Sequence, residues 1–146
     1  MRKNKAAARH KADLEIALAK TDAELGKLNW ELAVQLTRLA EQTNDPAPLL
    51  QAVEALRSAV RYYSFEDAPR EHAEIQQGIA DTLLSLGRRT GDRTALEAAR
   101  DAYRGAITLA SLLSDDRLRE DLRVNYKLTL TLLGDRPRNQ SLFSAA

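Results

Sequence analysis

Residues 39–63, Leu-Ala-Glu-Gln-Thr-Asn-Asp-Pro-Ala-Pro-Leu-Leu-Gln-Ala-Val-Glu-Ala-Leu-Arg-Ser-Ala-Val-Arg-Tyr-Tyr, decide the reading of this chain, because a shift of 47 positions lays them on residues 86–110. Eight of the 25 aligned pairs are identical, with no gap: Leu39 with Leu86, Thr43 with Thr90, Asp45 with Asp92, Leu49 with Leu96, Ala52 with Ala99, Ala55 with Ala102, Arg57 with Arg104 and Ala59 with Ala106. The same shift carries Leu36 onto Leu83 and Leu130, Leu39 onto Leu86 and Leu133, and Gly87 onto Gly134. A third copy therefore opens near the C-terminus and stops after one helix. A fixed period marks stacked units, each of which buries its apolar face against its neighbours.

Composition says that those units are helical. Ala and Leu together number 48, against 8 Val and Ile, in a chain of 146 residues. That is a supply of strong helix formers with few strand formers, and it predicts an all-α protein. The length suits one domain. Without cysteine there is no disulfide and no thiolate ligand, and His10 and His72 are the only imidazoles. No apolar run of membrane-spanning length and no secretory h-region occurs, so the expectation is a cytoplasmic protein with no membrane span.

Breaks in the pattern place the helices. Asn44-Asp45-Pro46 offers an Asp cap with Pro in the first turn. Thr90-Gly91-Asp92 stands in the same register of the second copy, and Thr94-Ala-Leu-Glu97 competes with it as a capping box. Ser64 to Pro69, Ser114-Asp-Asp and Gly134-Asp-Arg-Pro137 supply the other stops. The spacing predicts helices over about 22–42, 46–63, 69–87, 94–113 and 115–133. This makes two antiparallel hairpins and a closing helix over 22–134, an N-terminal helical extension over 1–21 and a flexible tail over 135–146.

The extension is basic: Arg2, Lys3, Lys5, Arg9 and Lys11 give it +5, while the remainder of the chain sums to 17 − 21 = −4. Leu18, Leu25, Leu32 and Leu39 then recur every seven residues, with Leu14 and Leu28 alongside, which is the pattern of a coiled-coil seam or of an inner bundle face. Thr21-Asp-Ala-Glu24 reads as a capping box that would break this stretch in two. The tolerable helix cost of Gly26 and Asn29 favours continuity, as one helix of about 30 residues.

With these residues in view, the chain resembles the tetratricopeptide repeat (TPR) family. Ile79-Ala80, Leu83 and Leu86-Gly87 match its first-helix pattern, and Ala99, Tyr103 and Ala106 match the small, aromatic and small positions of its second helix. Leu32-Ala33, Leu36 and Leu39-Ala40, and then Tyr126, Leu130 and Leu133-Gly134, repeat the first-helix part. The resemblance covers about residues 29–134. The period of 47 exceeds the usual one of about 34, and the helix-ending Pro is missing.

The resemblance implies a TPR-like α-solenoid that serves as an adaptor, scaffold or small chaperone, holding a partner's peptide or helix on a concave face formed by the first helix of each pair. Position by position, that face is Lys27, Trp30, Val34, Thr37 and Arg38 in the first copy and Glu74, Gln77, Asp81, Leu84 and Ser85 in the second. A basic, aromatic end would thus face an acidic, amide end. The carboxylate clamp of some members, Lys and Asn on successive first helices, is not reproduced by Lys27, Asn29 and Asn125.

Self-association is the alternative, through the heptad residues Leu18 and Leu25 or through Val124, Leu128, Thr131 and Leu132 on the closing helix, which Leu142-Phe143 could instead cover. Tyr62, Tyr63 and Phe65 are expected to staple the junction between the pairs, and both histidines to lie on the surface. No nucleophile elbow, phosphate loop or metal spacing is present, so the expectation is a non-enzyme without cofactor or metal. Nucleic acid, contacted by the basic arm together with Arg136 and Arg138, fits less well, because no aromatic residues interleave with those charges.

Overall fold

Small residues set the distances between the helices of this chain, and the tightest contact is at Gly87. A Cβ there would stand 2.5 Å from Cδ2 of Leu96 and 3.2 Å from its backbone nitrogen. In the computed structural model, which describes residues 2–134, the helices are α1 (Arg2–Thr43), α2 (Ala47–Val60), α3 (Pro69–Thr90), α4 (Arg93–Leu112) and α5 (Asp116–Leu133). No strand occurs among the described residues. Each helix packs against the next in the chain, and α3 also touches α5.

The core follows the 47-residue register. Ala33, Ala52, Ala59, Ala80, Ala99 and Ala106 are all buried, so the alanines that recur between copies are the points where helices meet. Leu49 and Leu96, which are register equivalents, are buried beside Ala40 and Gly87. Tyr103 is the largest fully buried side chain and fills in the second copy the place that Leu56 fills in the first. Packing that interdigitates small and large side chains leaves few voids, which is how a core built on alanine reaches normal density.

Turn chemistry sets the ends. The Ala47 N–H donates to Asp45 Oδ1 at 2.9 Å, and Asn44 turns the chain with a φ of 54°. Gly91 takes the left-handed conformation, φ 69°, that ends α3, and Asp92 then caps α4 by accepting from the Thr94 N–H. The capping box predicted at Thr94 is therefore not the start of α4. Helix α3 runs three residues past its expected end because its stop signal is Gly91 rather than Gly87. Helix α2 ends three residues early, at Val60, as the N–H groups of Tyr62 and Tyr63 turn back to Ala59 and Val60 in tight i−3 bonds.

At Thr21 the chain takes the continuous option, and α1 is longer than expected, 42 residues without a break. The Thr21 hydroxyl donates to the Ala17 carbonyl instead of capping a helix, and Asn29 does the same toward Leu25. Gly26 is not a weak point. A Cβ at this position would lie 2.8 Å from Cβ of Tyr62 and 3.0 Å from Cε2 of Tyr63, so the missing side chain is what lets the end of α2 close on α1. Residues 2–21 are exposed throughout. The expected tail over 135–146, with Arg136, Arg138, Leu142 and Phe143, lies outside the described residues.

Candidate functional site

Three clefts open beside α1, α3 and α5, and the repeat register relates them. Lys27, Trp30, Glu31 and Val34 of α1 line the first, of about 550 Å³, with Tyr63. Their equivalents one period on include Glu74 and Gln77, which line a cleft of about 500 Å³ with Arg70 and Asp121, and Asp81, which lines one of about 480 Å³ with Leu84, Ser85, Arg88 and Asn125. Two periods on, the four positions are Asp121, Val124, Asn125 and Leu128, of which Asp121, Asn125 and Leu128 are again on cleft walls while Val124 is exposed outside them. One face of three register-equivalent helices therefore carries all three depressions.

Of the expected partner-binding residues, Lys27, Trp30, Val34, Glu74, Gln77, Asp81 and Leu84 all border a cleft. Arg38 is exposed and lies outside these walls, while its equivalent Ser85 borders one. Leu84 is buried and forms a floor rather than a contact point. Trp30 belongs to both groove and core: its ring meets Tyr63 edge-on, with centroids 5.5 Å apart at 77°, and is half-buried on the cleft wall.

The expected gradient from a basic to an acidic end is replaced by mixed charge in every cleft. Lys27 Nζ lies 4.0 Å from Glu31, and Arg70 and Arg117 border the same cleft as Glu74 and Asp121. Such pairs lie at the surface and contribute little to stability, but they set which charged side chains a partner must present.

Asp81 has a second role. Its Oδ1 accepts from the Tyr103 hydroxyl and from Asn125 Nδ2, at 3.1 Å in the latter case, so one carboxylate joins α3, α4 and α5. Burial raises its pKa above the ordinary carboxylate value, and the two hydrogen bonds pull less strongly the other way. The Tyr103 hydroxyl is raised as well, by its own burial and then by its bond to Asp81. Nothing in local spacing signals this cluster, since its members lie 22 and 44 residues apart.

His72 departs from the expected surface position. It is half-buried, its Nδ1 donates to the Tyr63 carbonyl at 2.7 Å, and its ring meets Phe65 edge-on at 6.0 Å. The aromatic cluster thus holds the α2–α3 turn from both sides. Val124 and Leu132 of the closing helix are exposed, whereas Leu128 is half-buried against the core. No helix among the described residues is long and apolar enough to cross a membrane. No model of a known protein family, no curated protein and no solved structure matches the chain.

Proposed function

We propose that the chain is a TPR-like, non-catalytic interaction module of the cytoplasm, an adaptor or small chaperone that holds a partner's peptide or helix along the common face of α1, α3 and α5. The observation that carries this reading is the register of the clefts. Repeated units offer repeated side-chain positions, and a ligand with repeated side chains is what such a row fits. Trp30 with Tyr63 supplies the aromatic anchor that energetically dominant contacts favour. The flanking Lys27, Glu31, Glu74 and Arg70 would fix direction and register by charge.

Selection from a random peptide library displayed on phage, followed by titration of the selected peptides against the full chain, tests the reading. The expected result is a shared motif with an apolar or aromatic anchor, whose affinity falls about tenfold or more in Trp30→Ala. Because Trp30 also packs on the core, Val34→Lys is the companion variant: Val34 is exposed, and its replacement alters the cleft without touching the interior. A chain that selects no motif, or peptides indifferent to both variants, overturns the proposal.

A further inference from the structure

Asp81 is a carboxylate that the repeat does not need at its position. One period earlier the same register holds Val34, and the equivalent of Tyr103 is Leu56. The first copy thus has apolar side chains at both places where the second ties a tyrosine to a carboxylate. A half-buried charge is costly, and burial does raise the Asp81 pKa. The molecule offsets that cost only in part. Both hydrogen bonds, from Tyr103 and from Asn125, end on Oδ1, and both donors are neutral. Oδ2 accepts from no described residue. Every buried side-chain nitrogen or oxygen among the described residues has a partner, so this atom is open to solvent.

The opening is the cleft of about 480 Å³ that Asp81 borders with Ser85, Arg88 and Arg89. Arg89 is engaged at the end of α1, where it donates to the Ala40 carbonyl at 3.1 Å. Arg88 is exposed and forms no ion pair among the described residues. Seven residues, nearly two turns, separate it from Asp81, which places both on one line of α3 with their Cα atoms about 10 Å apart. The cleft therefore presents an open carboxylate oxygen and then, toward the C-terminus of α3, a cation. A group of one sign is repelled by one of the two, whereas a segment carrying a cation and an anion at that interval is attracted by both. Peptides hold such a pair at positions i and i+3 when extended and at i and i+7 when helical.

Given the peptide-binding reading above, on which this rests, we infer that the partner carries a lysine or arginine whose cation ends on Asp81 and an aspartate or glutamate about 10 Å away that ends on Arg88. A cation seated on Oδ2 balances the charge that Tyr103 and Asn125 leave uncompensated.

A double-mutant cycle tests this, with peptides from the phage selection titrated by calorimetry against the full chain and against Asp81→Asn. The asparagine keeps an acceptor oxygen and removes the charge, and circular dichroism checks that the helices remain. The expected motif has Lys or Arg, with Asp or Glu three or seven positions away. Replacing its basic residue by norleucine should weaken binding about tenfold or more to the wild-type chain and less than about twofold to Asp81→Asn. Its acidic residue should be coupled in the same way to Arg88→Gln. Ser85→Lys, one turn along the same wall, supplies a cation to Asp81 from within the chain and should weaken binding as Asp81→Asn does. Peptides that lose affinity in Trp30→Ala or Val34→Lys, yet share no such charge pair or lose the same affinity to norleucine in both chains, overturn the inference and leave the peptide-binding reading standing. A chain that selects no motif overturns both.

Discussion

Asp81 carries more consequence than any other single residue, because a carboxylate shared by Tyr103 and Asn125 is both a junction of three helices and a wall of a cleft. Replacing it with Ala leaves the buried Tyr103 hydroxyl without its acceptor, an expected loss of about 1–3 kcal/mol in urea unfolding at neutral pH. Asp81→Asn keeps an acceptor oxygen and removes the charge that burial disfavours, so it should be far milder. The pH dependence follows from the raised native pKa. Below the ordinary value of 3.8 both folded and unfolded chains hold the proton. As pH climbs from there through the raised native value, the folded chain is the state that holds the proton more tightly, and stability attributable to Asp81 falls until both states are ionised. The stability of Asp81→Asn minus that of the wild type should therefore grow across this window and then level off; a flat difference from acid to neutral pH would sink the account. Glycines give a second contrast. Gly87→Ala drives a methyl group into Leu96 and its backbone, an overpacking worth about 1–3 kcal/mol. Gly105→Ala, with open space around it in mid-helix, should stabilise by about 0.5–1 kcal/mol. Thermal unfolding of the two variants, with Tm moving in opposite directions, is the check.

Helix ends give predictions at the next scale. Asp92 rather than Thr94 starts α4, so Asp92→Ala should cost about 1 kcal/mol and Thr94→Ala little, as measured by denaturant midpoints. The reverse order would assign the start to the box over Thr94–Glu97. Much of this was legible beforehand, since the matched pairs Asp45 with Asp92 and Ala59 with Ala106 fix loop and crossing positions by identity alone. Two features were not. The sequence favours a continuous α1 through Gly26 but does not reveal the reason for a glycine there, which is that Tyr62 and Tyr63 occupy the space where its side chain would be. The polar tie through Asp81 joins three helices at long sequence separation, and only the packing of those helices brings its members together. His72 illustrates the same limit: its bond to the Tyr63 carbonyl depends on where α2 stops, a boundary that the tight turn at Tyr62 and Tyr63 sets three residues earlier than the spacing predicts.

Across the whole molecule, repetition makes the copies comparable and shows where their equivalence fails. Each unit buries its face only against a neighbour, so the same residue type in the same register should differ in energetic weight between α1, which among the described residues packs against α2 alone, and α3, which packs between α2 and α4. Ile75 and Leu28 form the most informative pair, one wholly buried and one mostly exposed. Ile75→Ala opens a cavity among residues of α2 and α3 and should cost about 2–5 kcal/mol at any protein concentration. Leu28→Ala should shift stability by less than about 0.5 kcal/mol, as an exposed position does. Urea midpoints of the two variants against wild type check the contrast, and a loss in Leu28→Ala as large as that in Ile75→Ala would mean that cover by a neighbouring helix does not set the weight of a register position.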